Sequence, residues 1–241
     1  MSVKKRVIIL CALLFFIFAE TAALSRSDSP EAVAAMTSQN AEETKYVALT
    51  FDDGPKASTT GRLLEGLAKR NAHATFFLIG RQIEGNEELI GRMAAQGHQV
   101  GNHTYNHTKL TGSDSSTVLQ EINKTDVILR RLLGDGDYWL RPPYGIIDEK
   151  YRSLVATPMI AWSVDPEDWK KLNTEAVVKA VLADAGDGDI ILLHDCYPTS
   201  VDAALEIVDK MQAEGYKFVT VKELFELKKI TPQRGKIYRH A

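Results

Sequence analysis

From Lys45 onward the chain alternates short runs of β-branched and aromatic residues with longer amphipathic stretches, and that alternation restricts its fold more than any other feature. The strand-like runs are Tyr46 to Phe51, Thr75 to Ile79, Gln99 to Asn102, Trp139 to Arg141, Met159 to Ser163, Asp189 to Leu193 and Lys217 to Val219. Between and after them the pattern predicts helices over Thr59 to Arg70, Glu87 to Gln96, Ser115 to Leu133, Glu149 to Leu154, Thr174 to Ala185, Ser200 to Glu214 and Val221 to Lys228. No Pro- or Gly-rich linker divides the series, so one α/β domain is expected. Both an open doubly wound sheet and a (β/α) barrel satisfy the alternation, and both place chemistry at the C-terminal strand ends.

The residues at the strand exits favour the barrel. Asp52-Asp53-Gly54-Pro55 leaves the first, His103-Thr104-Tyr105-Asn106-His107 the third, and Arg141-Pro142-Pro143-Tyr144-Gly145 the fourth; Asp165-Pro166-Glu167-Asp168-Trp169 leaves the fifth and His194-Asp195 the sixth. Closure of about seven parallel strands into a single distorted barrel would gather these sets around one pocket.

His103 and His107 are four apart, so one helical turn would put both imidazoles on the same side. Alone, such a pair is weak evidence. Asp52 and Asp53, leaving the apolar strand Val47 to Phe51, change its weight, because adjacent carboxylates repel unless a cation lies near. Two His and one Asp would leave positions open for water on a zinc-like ion. Neither Gly134-Asp135-Gly136 nor Gly186-Asp187-Gly188 has a nucleotide-loop spacing, and there is no Gly-x-Ser-x-Gly elbow.

The N-terminus reads as an address. Lys4-Lys5-Arg6, an apolar stretch from Val7 to Ala19 and small residues to Ala23 follow the order of an export signal, which predicts a signal peptide or membrane anchor over 1–23. The polar stretch 24–44 reads as a flexible stalk, 45–230 as the catalytic domain and 231–241 as a polar tail. The predicted location is exported, either secreted or held at the cell envelope by the N-terminal segment. With 29 Lys+Arg against 32 Asp+Glu the chain offers no basic surplus for nucleic acid, and its two cysteines cannot build a disulfide scaffold.

Thr50-Phe51-Asp52-Asp53-Gly54, His103-Thr104-x-x-His107, Arg141-Pro142-Pro143-Tyr144, Asp165-x-x-Asp168-Trp169 and Leu192-x-His194 resemble, in order, the five motifs of the polysaccharide deacetylases, the NodB-homology domains of carbohydrate esterase family 4. The resemblance spans about Tyr46 to Leu227. It implies a distorted (β/α) barrel and metal-dependent hydrolysis of N-acetyl groups on amino sugars. It also implies that Asp53, His103 and His107 hold one divalent ion and that Asp52 acts as general base, held by Arg141. His194 would be the general acid, paired with Asp168, and the Tyr144 amide would stabilise the oxyanion. Trp169 and Leu192 would wall a pocket for the acetyl methyl group. Zinc suits the ligand set, and cobalt, nickel or iron are also acceptable to it.

The expected substrate is an acetylated amino-sugar polymer, a peptidoglycan or a chitin-like glycan, attacked by a monomer with no nucleic-acid partner and with membrane contact only through the N-terminal segment. Family members acting on the muramic-acid sugar often depart at the second Asp of the first motif; the intact Asp53 favours N-acetylglucosamine units. An acetyl xylan esterase, a cyclic amidase and a noncatalytic wall-binding module are the alternatives. The sequence assigns no chemical role to Asp165, Asp195 or Cys196.

Overall fold

The computed structural model describes residues 44–241, so the expected export segment and all but the last residue of the expected stalk lie outside the described residues. The strands are β1 (Lys45–Asp52), β2 (Thr75–Leu78), β3 (Gln99–Asn102), β4 (Met159–Ile160), β5 (Ile190–His194), β6 (Tyr216–Phe218) and β7 (Ile237–Tyr238). The helices are α1 (Thr60–Lys69), α2 (Glu87–Ala95), α3 (Ser115–Leu133), α4 (Glu149–Arg152), α5 (Asp168–Lys171), α6 (Thr174–Asp184), α7 (Pro198–Ala213) and α8 (Val221–Leu227).

All pairings between these strands are parallel, with β3-β2-β1-β5 as the main sheet, β6 on the first residues of β1, and β4 beside β7. Single bridges continue the wall from Asn102 to Leu140, from Leu140 to Met159 and from Val164 to Ile191. The result is a distorted (β/α) barrel, closed on one side by points of contact instead of ladders.

Strand parity decides what faces inward. Val47, Leu49 and Phe51 pack among Leu63, Leu64, Ile207 and Val208 of α1 and α7, whereas Ala48 packs with Phe77, Ile160 and Ile190. Thr50 and Asp52, in step with Ala48, therefore meet Arg141 inside the barrel.

Two expectations change. Trp139 to Arg141 is not a strand: Pro142 and Pro143 lack the N–H groups to extend it, and only Leu140 bridges its neighbours. The 231–241 segment is not simply a polar tail, because β7 pairs with β4 and Tyr238 and Ala241 pack against the cluster that contains Trp139 and Phe225.

At the opposite end of the strands, buried His98 accepts the Ala74 N–H at Nδ1 (3.1 Å) and stands edge-on to Phe76. Burial, with His73 nearby, pushes its pKa down from 6.5 to about 4. The unfolded chain takes up this proton near pH 6.5 and the folded chain resists until about 4, so stability is complete above 6.5, falls between these values and levels off below. The full effect is at most about 3 kcal/mol. Denaturant titrations from pH 7 to 4 should show His98→Asn, which keeps an acceptor for Ala74, losing less stability than the parent over that window.

Candidate active site

The C-terminal strand ends open onto a cavity of about 370 Å³. β1 delivers Asp52 into its floor, where the Arg141 Nη1 donates to Oδ1 at 2.8 Å. Arg141 is 0% exposed: Nη1 also donates to Thr50 Oγ1, Nε and Nη2 donate to the carbonyls of Ile160 and Ala161, and the guanidinium lies 4.1 Å from the Phe77 ring centroid. Burial alone would raise the Asp52 pKa, but the Arg141 charge, helped by His103 and His194, holds it below the ordinary carboxylate value. Asp52 is therefore held in its carboxylate form.

Asp53 turns out of the strand with φ 69°, a left-handed conformation that a non-glycine residue keeps only when its surroundings hold it. Its Oδ1 is buried without a hydrogen-bond partner and lies 3.7 Å from His103 Nε2 and 3.5 Å from His107 Nε2. One ligand atom from each of the three lies within 4.8 Å of the others.

His103 and His107 come together in a way their spacing did not predict. They lie on a loop, not a helical turn, with Thr104 at φ 64° and His107 at φ 61°. Side chains satisfy its backbone where helical bonds would have done so: Asn102 Oδ1 accepts the Thr104 N–H at 2.8 Å, and the Glu121 carboxylate accepts both the main-chain and side-chain N–H groups of Asn106. His103 Nδ1 lies 2.7 Å from the Arg141 carbonyl; donation to that oxygen leaves Nε2 with a free lone pair facing the aspartates. Burial and the adjacent His103 push the His107 pKa down, favouring the neutral imidazole that ligates metals. An unpartnered buried carboxylate oxygen between two imidazole nitrogens fits a divalent ion.

Across the pocket, Asp168 is buried and binds His194 twice, through Oδ1 to Nδ1 and through Oδ2 to the backbone N–H, both at 2.8 Å. The ring is thereby locked with Nε2 free. Burial opposes its charge, but the Asp168 hydrogen bond and charge outweigh that and raise the His194 pKa to about 9.

Tyr144 sits at φ 62° in the short turn Pro143–Gly145, where the Gly145 N–H goes to the Pro142 carbonyl. Its ring, 59% exposed, stands edge-on to His107 at the mouth. Leu192 is buried in the wall and Trp169 is half-exposed on α5.

Three further residues line the cavity: Asp165, Trp162 and Tyr197. Asp165 Oδ1 accepts the Glu167 N–H at 2.9 Å and shapes the turn that presents Asp168. Trp162 lies in an apolar run, and Tyr197 sits three residues beyond His194; sequence reasoning singled out neither. Burial and the neighbouring Asp195 charge push the Cys196 thiol up to about 12, which favours the protonated thiol over the reactive thiolate.

A family model for polysaccharide deacetylase matches residues 39–157. The chain is 44% identical over 185 residues to the peptidoglycan-N-acetylmuramic acid deacetylase PdaC of Bacillus subtilis, covering 77% of this chain and 40% of that protein. It is 39% identical to the peptidoglycan-N-acetylglucosamine deacetylase PgdA of Listeria monocytogenes, over 81% of this chain and 42% of that protein. This chain thus spans about two fifths of the length of both relatives. The solved PdaC structure superposes with a TM-score of 0.76 over 78% of this chain and 93% of that one. A family 4 acetyl xylan esterase from Clostridium thermocellum, solved in complex with a cobalt ion, superposes with a TM-score of 0.77 at 31% identity, over 82% of this chain and 99% of that one.

The PdaC and acetyl xylan esterase structures share this fold. The chain belongs to the polysaccharide deacetylase family.

Proposed function

We propose that this protein is an exported, metal-dependent hydrolase that removes acetyl groups from N-acetylated amino sugars of peptidoglycan, N-acetylglucosamine units foremost, releasing acetate. The observation that carries this reading is the placement of a candidate metal-binding triad between an ionised carboxylate and a carboxylate-locked imidazole in one cavity. The names of PdaC and PgdA support a peptidoglycan substrate and divide on the sugar; the intact Asp53 is what favours glucosamine units.

A divalent ion held by Asp53, His103 and His107, zinc by preference of the donor set, supplies Lewis acidity for a carbonyl and, in the case of zinc, lowers the pKa of water to about 7. Asp52, kept ionised by Arg141, accepts the proton of the attacking water. By the resemblance to the family's third motif, the Tyr144 amide in the tight Pro143–Gly145 turn donates to the charge that develops on the amide oxygen. Leu192 and Trp169 enclose the acetyl methyl group. His194, cationic at neutral pH, delivers its Nε2 proton to the departing amine nitrogen while Asp168 fixes the ring.

Activity that needs cationic His194 persists below its folded pKa and falls as pH rises through about 9. Asp168→Asn removes the stabilising charge, so its alkaline limb should move toward 6.5 in a kcat/KM profile. Mass spectrometry of peptidoglycan fragments, chito-oligosaccharides and acetylated xylan after incubation tests the proposal. Acetyl loss from glucosamine units of peptidoglycan supports it; loss confined to muramic acid, to chitin or to xylan replaces the substrate, and loss from none defeats it.

A further inference from the structure

We propose that Asp195 is a positioning residue for the metal centre, acting through Thr60 and Gly54 on the turn that carries Asp53. The inference rests on the reading of Asp53, His103 and His107 as metal ligands.

Asp195 follows His194, is fully buried, and touches no reacting group assigned above. Its Oδ2 accepts the hydroxyl of Thr60, the first residue of α1, and its Oδ1 is buried without a partner. The carboxylate lies against Gly54: a methyl group added there would stand 2.5 Å from both carboxylate oxygens. Gly54 is not among the positive-φ glycines, so space, not backbone freedom, is what calls for glycine. Any side chain at 54 would displace either Asp195 or the turn.

Further bonds tie the same turn to the loop after β5. Thr60 Oγ1 accepts the Lys56 N–H at 2.9 Å while its proton goes to Asp195, and Lys56 Nζ donates to the Cys196 carbonyl at 3.0 Å. Gly54 is held from the other side by its carbonyl, which accepts the Ile79 N–H at 3.0 Å. The segment from Gly54 to Lys56 is therefore clamped between β2 and the β5 loop, directly after a residue whose left-handed backbone needs restraint. The clamp also fixes the separation between Asp53 and His194, because its two halves leave neighbouring strands whose last residues, Asp52 and His194, are in register. Groups that orient a ligand without touching the ion are worth 10- to 100-fold in affinity at known metal centres.

The test uses the full chain: Zn²⁺ affinity by competition with a chromophoric chelator, and thermal melting of the metal-free protein, for Asp195→Ala, Thr60→Val and Thr60→Ser. The expected result is a Zn²⁺ dissociation constant raised about 10- to 100-fold in Asp195→Ala and Thr60→Val and restored in Thr60→Ser. A purely structural residue would lower the melting temperature and leave the affinity of the folded protein alone. If Thr60→Val and folded Asp195→Ala bind Zn²⁺ as the parent does, or if Thr60→Ser is as weak as Thr60→Val, the proposal is overturned. If the parent itself binds no Zn²⁺, the metal-centre reading fails first and takes this inference with it.

Discussion

Asp52→Asn is expected to lower kcat by about 10²- to 10⁴-fold, the range of a positioned general base, with KM little changed and bound metal retained. The direction follows from the division of labour between adjacent carboxylates. Asp52 faces Arg141 on one oxygen and His103 on the other, at 3.5 Å, while Asp53 lies between both imidazoles. Asparagine keeps an acceptor for Arg141 Nη1, and Thr50 and the carbonyls of Ile160 and Ala161 still hold the guanidinium, so the variant should fold. What it loses is a carboxylate able to take a proton. Asp53→Asn should instead lose the metal. Steady-state kinetics paired with metal analysis separates the two, and Asp52→Asn turning over at the parental rate would move the base elsewhere.

Arg141→Met should cost more in stability than other single substitutions at the site. The pair Arg141–Asp52 has side chains 0% and 5% exposed, and truncating one partner of such a pair leaves a buried charge uncompensated, typically at about 3 to 5 kcal/mol. At roughly 2 to 4 °C per kcal/mol for a domain of this size, the melting temperature should fall by about 10 °C. The effect should be non-additive: Asp52→Asn combined with Arg141→Met removes both charges and should be more stable than Arg141→Met alone. A double-mutant cycle with no coupling would mean that Arg141 only fills space, with Phe77 and Trp162 as its packing partners.

Asp52, Asp53, His103 and His194 were legible because each ends or directly follows the strand that presents it. Alternation along β1 puts Asp52 inside with Ala48 and Thr50, and the same sequence run shows Asp53 leaving the strand. The loop conformation of His103 to His107 was not legible, since it depends on Glu121, fifteen residues away on α3, accepting from Asn106. Nor was β7, whose two residues are too few to show a period and whose partner is Met159–Ile160. α5 is a single turn, below any helical periodicity, and Asp165 in its Asx turn was the available signal. The sequence assigned Asp195 no role, because its bond to Thr60 spans 135 residues and leaves no local trace.

If one divalent ion on Asp53, His103 and His107 is what lets this cavity remove acetyl groups, the ion must control acetate release. The decisive measurement is acetate release from peptidoglycan fragments by protein stripped with a chelator, then reloaded with stoichiometric zinc or cobalt, beside His103→Ala and His107→Ala treated identically. Stripped protein should release negligible acetate, the parent should recover on reloading, and neither histidine variant should recover. Acetate release at full rate from protein verified to be free of metal would contradict the ion's role.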